Sequence, residues 1–397
     1  MNVIATNSQT VHTEVAELLG VSPADLDPAA DLIASGLDSI RMMSLSGRWR
    51  KQGIDVGFAA LAANPTVAAW RELVAERGAA AQPEPSSAEP RPEPAGDPDE
   101  PWPLAPIQHA MWVGRNSEQQ LGGVAGHLYV EFDGAGVDLD RLRAAAAQLA
   151  ARHPMLRVEI LPDGTQRIGN RELPVKVLDL RDLEPATAEA RLETTRDAKS
   201  HQLLDGEVLE LALSLLPDGR TRLHVDMDMQ AADAVSYRNF MADLARFYRG
   251  DQLPELQYSY REYRRTFTSS VPASADADRR WWTDRIPDLP EGPALPLVPR
   301  ADQQNPRRGT RRWHFLAPQI RDGLFAAARR RGITPAMAFA ASYGATLARW
   351  STSSHFLLNL PMFGREPYHA DVDKLVGDFT SSLMLDVDFT DAHTAAE

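Results

Sequence analysis

The chain has 397 residues, with 42 Lys and Arg against 55 Asp and Glu, so its formal net charge is −13. That acidic balance argues against a general nucleic-acid binder, which needs basic patches to neutralise phosphates. The chain contains no cysteine, which excludes disulfides, zinc–thiolate sites and a thiolate nucleophile of its own. It has no run of about 18 apolar residues and no signal-peptide pattern at its start, so we expect a cytoplasmic protein without a membrane partner.

A change of composition divides the chain. The run AAAQPEPSSAEPRPEPAGDPDEP contains seven prolines and six carboxylates but no large apolar side chain. Such a segment cannot bury enough surface to offset chain entropy, so it predicts an extended linker. The linker is either a passive spacer or a tether that lets the first domain move between partners. We therefore expect a domain at 8–77, a linker at 78–101 and a domain at 102–397.

The first domain has helical periodicity. Apolar residues recur at helical spacing in three stretches. These are Val11, Val15 and Leu18; Met42, Leu45 and Trp49; and Val67, Trp70 and Val74. The pair Asn64-Pro65 predicts the start of the last helix, because a proline needs no N–H partner in a first turn. The pattern predicts a small helical bundle.

The second domain mixes both periodicities. Alternating apolar residues predict strands at 128–132, 208–216, 222–229 and 356–360. Helical spacing predicts helices at 139–149, 234–248 and 334–350, the last capped by Thr334. Buried residues of the 234–248 helix are expected to be Val235, Phe240, Leu244 and Phe247. Strands that alternate with helices predict a large α/β domain.

Ser39 follows a turn, GLD at 36–38, and directly precedes an amphipathic helix. Serine is a good N-cap residue. A helix N-terminus also favours an attached anion, because its backbone N–H groups are unpaired and its dipole end is positive. The residues alone leave both interpretations open.

The surroundings of Ser39 resemble the attachment site of carrier domains of nonribosomal peptide synthesis. The resemblance rests on GLDSIRMM at 36–43 and on later positions, which are Trp49, Arg50, Phe58, Leu61, Ala62, Asn64, Pro65, Thr66 and Trp70. The combination is most similar to the aryl carrier subclass of siderophore assembly lines. It implies that Ser39 receives 4′-phosphopantetheine from coenzyme A through a phosphopantetheinyl transferase. The thiol of that arm would hold an acyl group as a thioester.

Two carboxylates, Asp228 and Asp233, flank the predicted turn from a strand into the 234–248 helix. Alternation places His224, Asp226 and Asp228 on one face of that strand, and the turn allows Asp228 and Asp233 to converge. Asp233 is a candidate helix N-cap, and Asp228 is a candidate buried partner for an arginine. A hard cation is the third alternative, but no EF-hand spacing supports it, and we expect no metal.

Asp228, Asp233 and Ser236 match the DxxxxDxxS motif of heterocyclisation domains, which replaces the HHxxxDG motif of ordinary condensation domains. In that alignment Met229 stands where a condensation domain has its catalytic histidine, and a thioether cannot accept a proton. The resemblance implies that these three motif residues form the catalytic site. We expect Asp233 to be mainly structural and paired with an arginine. The resemblance implies a tunnel in which the two substrates meet, and we expect Asp228 to shape the floor of this tunnel.

Further motifs follow in the order of the family. They are Pro103-Leu104, Gln108, WVGR at 112–115, RHPMLR at 152–157, 260–263, WWTDR at 281–285, 289–297, Thr334-Pro335, Trp350, Pro361, Arg365 and GDFTS at 377–381. The resemblance implies a multidomain fold: a small all-α four-helix carrier bundle and an α/β, two-lobed domain like chloramphenicol acetyltransferase. Family motifs that follow GDFTS are absent, so we expect a truncated heterocyclisation domain with its first lobe and the start of its second.

The resemblance also implies a reaction. An aryl acid, such as salicylate or a dihydroxybenzoate, would be condensed with a cysteine, serine or threonine on a downstream carrier and cyclised to a thiazoline or oxazoline. The implied partners are a phosphopantetheinyl transferase, an aryl-acid adenylating enzyme, and downstream adenylation and peptidyl carrier domains. Two alternatives stay open: an ordinary amide-forming condensation unit, which Met229 disfavours, and a catalytically inert docking platform for the carrier.

Overall fold

A computed structural model describes residues 8–33, 35, 37, 41–42, 45–46, 48–49, 54, 56–78, 100–115, 122–123, 125–201, 206–270, 275–302, 312–331 and 333–391. Ser39 and most of the predicted linker lie outside these residues. Within the same ranges, none of the helices is long and apolar enough to cross a bilayer.

The first domain is helical, as predicted. Its helices include α1 (Ser8–Leu19), α2 (Phe58–Ala63) and α3 (Val67–Gly78), and the described positions at 41–42, 45–46 and 48–49 are helical too. All three predicted apolar stripes contribute to one core. At its centre Trp49 and Trp70 pack edge to face, with ring centroids 6.1 Å apart.

The last helix of this domain begins later than predicted. It starts at Val67 and not at Pro65, because the Thr66 hydroxyl accepts the backbone N–H of Ala69 at 3.2 Å and caps the helix. Pro65 lies before the cap, where its carbonyl accepts the N–H of Leu32 at 2.8 Å. That bond ties the loop after α1 to the start of α3.

The second domain alternates strands and helices. In chain order they are β1 (Trp102–Pro103), α4 (Pro106–Gly114), β2 (His127–Ala135), α5 (Leu139–Arg152), β3 (Val158–Ile160), β4 (Thr165–Ile168), β5 (Val175–Asp179), α6 (Pro185–His201), β6 (Leu209–Leu215), β7 (Arg220–Asp228), α7 (Ala234–Arg249), α8 (Tyr260–Ser269), α9 (Ala275–Arg285), α10 (Pro318–Arg330), α11 (Pro335–Trp350), β8 (His355–Met362) and β9 (Ser381–Asp388).

A four-stranded sheet with the order β2-β7-β6-β5 lies at the centre of this domain. Strand β7 is antiparallel to both of its neighbours, whereas β5 runs parallel to β6. Two smaller antiparallel sheets have the orders β1-β4-β3 and β8-β9. The central sheet carries the predicted carboxylate motif at the end of β7.

One face of the central sheet is apolar. Val225 and Met227 of β7 are fully buried and pack with residues of α5 and α7 in the main core. Residues 372–379 return to this core through Val372, Leu375 and Phe379. The chain after β8 is therefore held against the central sheet.

The opposite face of the central sheet is polar. His224, Asp226 and Asp228 are buried on it, as the alternation along β7 predicted. Helix α6 covers this face, and Arg196 of α6 donates to the Glu131 carboxylate of β2 at 2.7 Å. The face is thus sealed by ion pairs more than by apolar contacts.

Two predicted helices have the expected caps. Asp233 caps α7, where its carboxylate accepts the N–H of Ser236 at 2.7 Å. Thr334 caps α11, where its hydroxyl accepts the N–H of Met337 at 3.2 Å. Val235 was wrongly expected to be buried: it is half-buried, because it lies beside the face of α7 that turns to the core.

Candidate functional site

Ser39, the predicted attachment residue, lies outside the described residues. Its nearest described neighbours in sequence are Leu37 and Arg41, and the core residues that flank it, Leu37 and Met42, are each 1% exposed. The assignment of Ser39 as the attachment residue therefore stays a prediction from the sequence.

Asp228 is the last residue of β7 and is 2% exposed. Its Oδ2 forms an ion pair with Arg115, which follows the last residue of α4, and its Oδ1 accepts the N–H of Gln230 at 2.9 Å. Burial raises the pKa of Asp228 above its usual value, and the Arg115 charge opposes that rise. The side chain thus joins α4 to the end of β7.

Met229 lies at the turn directly after Asp228. Its backbone N–H donates to the carbonyl of Gly126 at 2.8 Å. A Cβ at Gly126 would lie 3.4 Å from Met111 Sδ and 3.8 Å from Met229 Cβ. Two methionines and a glycine therefore line the place where the carboxylate motif begins, and none of them can transfer a proton.

Asp233 is fully buried and forms an ion pair with Arg365, whose Nη2 lies 3.0 Å from Oδ1. Burial lowers the pKa of the Arg365 guanidinium, while Asp233 favours its charged form. The guanidinium also stacks on the Phe379 ring, with 3.7 Å between Cζ and the ring centroid. Asp228 and Asp233 therefore bind different arginines and do not share one, although the turn allowed them to converge.

Ser236 connects the start of α7 to residue 377. Its hydroxyl donates to the Gly377 carbonyl at 2.8 Å and accepts the Gly377 N–H at 3.1 Å. It also accepts a bond from Arg365 Nη2 at 2.9 Å. Gly377 is required here, because any Cβ would overlap the Tyr260 ring. Ser236 is thus a bridge between two segments that are 141 residues apart.

Asp378 was not singled out as a site residue by the sequence. It is 1% exposed, and its Oδ1 accepts the N–H of Thr380 at 3.0 Å, whereas no partner is found for Oδ2 within the described part of the chain. Burial raises the pKa of Asp378 to about 7, and the nearby Asp233 charge adds to the rise. No local pattern could have indicated this, because the burial comes from distant packing.

The predicted absence of a metal site rests on the sequence alone. Among the residues with described positions, no group of three or more His, Asp or Glu side chains could hold a metal ion. The carboxylates of the motif are instead neutralised by Arg115 and Arg365.

Two family models match the chain: the condensation domain over residues 99–397 and the phosphopantetheine attachment site over residues 9–74. Phenyloxazoline synthase MbtB of Mycobacterium sp. (strain MCS) is 75% identical over 100% of this chain and 34% of its own length. Pyochelin synthetase PchE of Pseudomonas aeruginosa is 37% identical over 94% of this chain and 26% of its own length. The chain therefore spans about a third or less of the length of these curated relatives.

A solved structure supports the same assignment. The rhombohedral form of the EpoB NRPS cyclization-docking bidomain from Sorangium cellulosum has a TM-score of 0.64 and 32% identity, over 75% of this chain and 61% of that chain. The predicted fold, a helical carrier followed by an α/β condensation domain, is confirmed, and so is 4′-phosphopantetheine as the cofactor of the attachment domain. The chain belongs to the condensation-domain family of nonribosomal peptide synthetases, and a phosphopantetheine attachment domain precedes its condensation domain.

Proposed function

We propose that this chain carries an aryl acid as a thioester on the arm of Ser39 and joins it to the amine of a carrier-bound serine or threonine. The C–N bond of the amide would form as the C–S bond of the thioester breaks, which frees the thiol of the arm. The side-chain hydroxyl then adds to the new amide carbonyl, and loss of water closes an oxazoline ring. The phosphopantetheine group, when bound, supplies the thiol that holds the aryl acid as a thioester. We favour a hydroxyl over a thiol because relatives at 58 to 75% identity are named phenyloxazoline synthases, and an oxazoline contains a ring oxygen.

Met229 is the observation that carries the proposal. It stands directly after Asp228, at the position of the histidine in ordinary condensation domains, and a thioether has no proton-transfer chemistry at neutral pH. Amide formation then depends on holding the amine and the acyl group together. Such proximity can supply a large part of a rate enhancement.

Asp228 would act on this reaction through geometry. Its carboxylate is held by Arg115 and by the N–H of Gln230, so it fixes the turn that carries Met229. A carboxylate that is engaged on both oxygens is poorly placed to exchange protons with a substrate. We infer that Asp228 shapes the floor of the substrate tunnel and does not serve as a catalytic base.

Asp233 and Ser236 would stabilise the substrate tunnel by joining the start of α7 to Arg365 and Gly377. Both bind Arg365, and Ser236 binds Gly377 as well. Their contacts are internal to the fold, which favours a structural role for both residues. The acid–base assistance that dehydration needs is not assigned to them.

The partners follow from the same proposal. A phosphopantetheinyl transferase would modify Ser39, and an aryl-acid adenylating enzyme would load it. Downstream adenylation and peptidyl carrier domains would present the amino acid. The linker at 78–101 would act as a tether between these encounters, and the domain limits 8–77 and 102–397 stay predictions.

The first experiment measures the intact mass of the chain after incubation with coenzyme A and a broad-specificity phosphopantetheinyl transferase. We expect a gain equal to the phosphopantetheine arm, and no gain in S39A. Aryl acids and carrier-bound serine, threonine or cysteine are then supplied to the complete polypeptide with their adenylating enzymes. A product lighter than the open amide by one water supports heterocyclisation, and an open amide as the sole product supports an ordinary condensation unit.

The role of Asp228 is tested by D228N, with D140N as the matched control. The Asp140 side chain is 92% exposed and pairs with Arg143 on the surface of α5, so D140N should leave the rate unchanged. D228N should lower the rate of ring formation by about tenfold, because the turn at Met229 loses its anchor. A D228N protein that folds and keeps the full rate would contradict the role of its charge.

A further inference from the structure

The polar face of the central sheet carries several titratable side chains beneath α6. They include His127 of β2 and, on β7, His224, Asp226 and Asp228. Among them His127 is a neighbour of the carboxylate motif that the sequence did not identify. It is the first residue of β2 and lies directly opposite Asp228 in the ladder between β2 and β7.

Both ring nitrogens of His127 are hydrogen bonded. Nδ1 lies 2.8 Å from Asp226 Oδ1, and Nε2 lies 3.2 Å from the carbonyl oxygen of Ser200, in the last turn of α6. A carbonyl oxygen only accepts, so Nε2 carries a proton. An ionised carboxylate also only accepts, so Nδ1 carries a proton as well. The arrangement therefore fits an imidazolium ion.

The surroundings of His127 favour a cation. Asp226 and Asp228 are 1% and 2% exposed and lie two residues apart on the same face of β7. Arg115 contacts Asp228, and His127 contacts Asp226. With a neutral side chain at 127, the Asp226 charge would lose this contact, and the two buried carboxylates would repel each other more strongly.

We propose that His127 is a positively charged positioning residue for Asp228. Its imidazolium neutralises Asp226 and ties the end of α6 to the end of β7, so that Asp228 keeps its pairing with Arg115. The proposal rests on the proposed function, because that function assigns Asp228 the fixing of the Met229 turn.

The charge on His127 is supported by its environment. The bond to Asp226 raises the pKa of His127 above its ordinary value, and the nearby Asp228 charge adds to the rise, while burial opposes it. Other titratable or charged groups lie on this face: Arg115 beside Asp228, Glu210 of β6 with Lys176 and Lys199, and Glu131 of β2 with Arg196, Arg222 and His224. Since the active form carries the proton, activity should fall as the pH rises through the pKa of His127.

The charge is tested first, without reference to activity. Histidine ring signals of the chain are followed by NMR against pH, and His127 is assigned from the signal lost in H127Q. We expect His127 to titrate above the ordinary value of about 6.5. We also expect D226N to lower that pKa by about one unit or more. A His127 that titrates at or below 6.5, or a pKa that D226N leaves unchanged, would overturn the proposal.

The positioning role is tested on the complete polypeptide with kcat, KM and the pH profile of ring formation. H127Q keeps hydrogen-bonding groups but not the charge, and should lower kcat by about tenfold while KM and the loading of Ser39 stay unchanged. H127K restores a positive charge and should recover most of kcat, without the loss of activity at high pH.

His355 offers a matched control. Its Nε2 lies 2.7 Å from Asp386 Oδ1 on the β8-β9 sheet, where both side chains are partly exposed, so H355Q should keep the wild-type kcat. An H127Q protein with wild-type kcat, or an H127K protein no better than H127Q, contradicts the proposal. If H127Q does not fold, His127 is assigned from the signal lost in H127K, and the D226N titration and the kcat of H127K relative to the wild type decide the proposal. If the wild-type polypeptide forms neither amide nor ring, the proposed function fails, and the NMR titration still decides the charge.

Discussion

Two of the interactions of the Asp233 carboxylate differ in energy. As an N-cap it accepts the N–H of Ser236, and a cap is worth about 1 kcal/mol. As the partner of Arg365 it neutralises a guanidinium that is 4% exposed. Removal of one member of a buried ion pair costs about 3–5 kcal/mol, because a charge stays buried without its partner. The ion pair therefore outweighs the cap.

This difference predicts the behaviour of two asparagine variants. D233N should lower the free energy of unfolding by about 3–5 kcal/mol, because asparagine can cap α7 but cannot neutralise Arg365. Asp138 caps α5 through the N–H groups of Asp140 and Arg141 and is exposed. D138N should change stability by less than about 0.5 kcal/mol, since asparagine caps as well as aspartate. Denaturant unfolding checks both variants, and equal losses would contradict the dominance of the ion pair.

Asp378 predicts a pH dependence of stability. The pKa of Asp378 is 3.8 as an ordinary carboxyl and is raised to about 7 in the fold, so between these pH values the folded state binds more protons than the unfolded state. Protonation of Asp378 therefore stabilises the folded state. This contribution is complete below pH 3.8 and is lost as the pH rises to about 7, and it is on the order of 4 kcal/mol in total. D378N should flatten the curve and unfold at a higher temperature than the wild type above pH 7. Thermal unfolding from pH 4.5 to 8 measures this, and parallel curves for the two proteins would contradict it.

At the scale of elements, α6 shows what sequence periodicity misses. Its buried apolar residues are Ala188 and Leu192, and it binds the sheet mainly through Arg196 and Lys199. A helix held by ion pairs has no apolar stripe, so the periodicity that predicted α5 and α7 could not reveal it. His127 was not identified for a similar reason, because its contact on α6 is the backbone carbonyl of Ser200 and not an apolar side chain.

The candidate site was predictable to the extent that it is local in sequence. Asp228, Asp233 and Ser236 lie within nine residues, and the alternation of β7 followed by a cap fixed their placement. Their partners are distant: Arg115 lies 113 residues before Asp228, and Arg365 lies 132 residues after Asp233. Spacing within a segment cannot reveal such pairs, since tertiary packing brings them together.

The approach of residue 377 to α8 gives an element-scale prediction. A Cβ at Gly377 would overlap the Tyr260 ring, whereas a Cβ at Gly323, in α10, meets nothing within 4 Å. G377A should therefore lower the free energy of unfolding by about 1–3 kcal/mol through overpacking. G323A should raise it by about 0.5–1 kcal/mol, because alanine favours a helix. Denaturant unfolding compares them, and a stabilising G377A would show that the contact is not tight.

At the scale of the whole molecule, the described apolar residues form separate cores. The carrier core contains residues between Val11 and Val74, and the main core contains residues between Trp102 and Phe379. Because no buried residue of the described part of the chain belongs to both cores, we expect the carrier to gain little stability from the condensation domain. Independent cores fit a carrier that moves between partners on a tether.

Separate cores predict two unfolding transitions in calorimetry. W70A should shift only the carrier transition, with a loss of about 3–5 kcal/mol, because Trp70 is fully buried and donates to the Leu61 carbonyl at 3.0 Å. W70A should also reduce phosphopantetheine loading. D233N should shift only the transition of the condensation domain. W281A is the matched control, since Trp281 is 48% exposed and its loss should move neither transition. A single transition displaced by both W70A and D233N would mean that the two domains unfold as one cooperative unit, and a tethered, independently moving carrier would then be excluded.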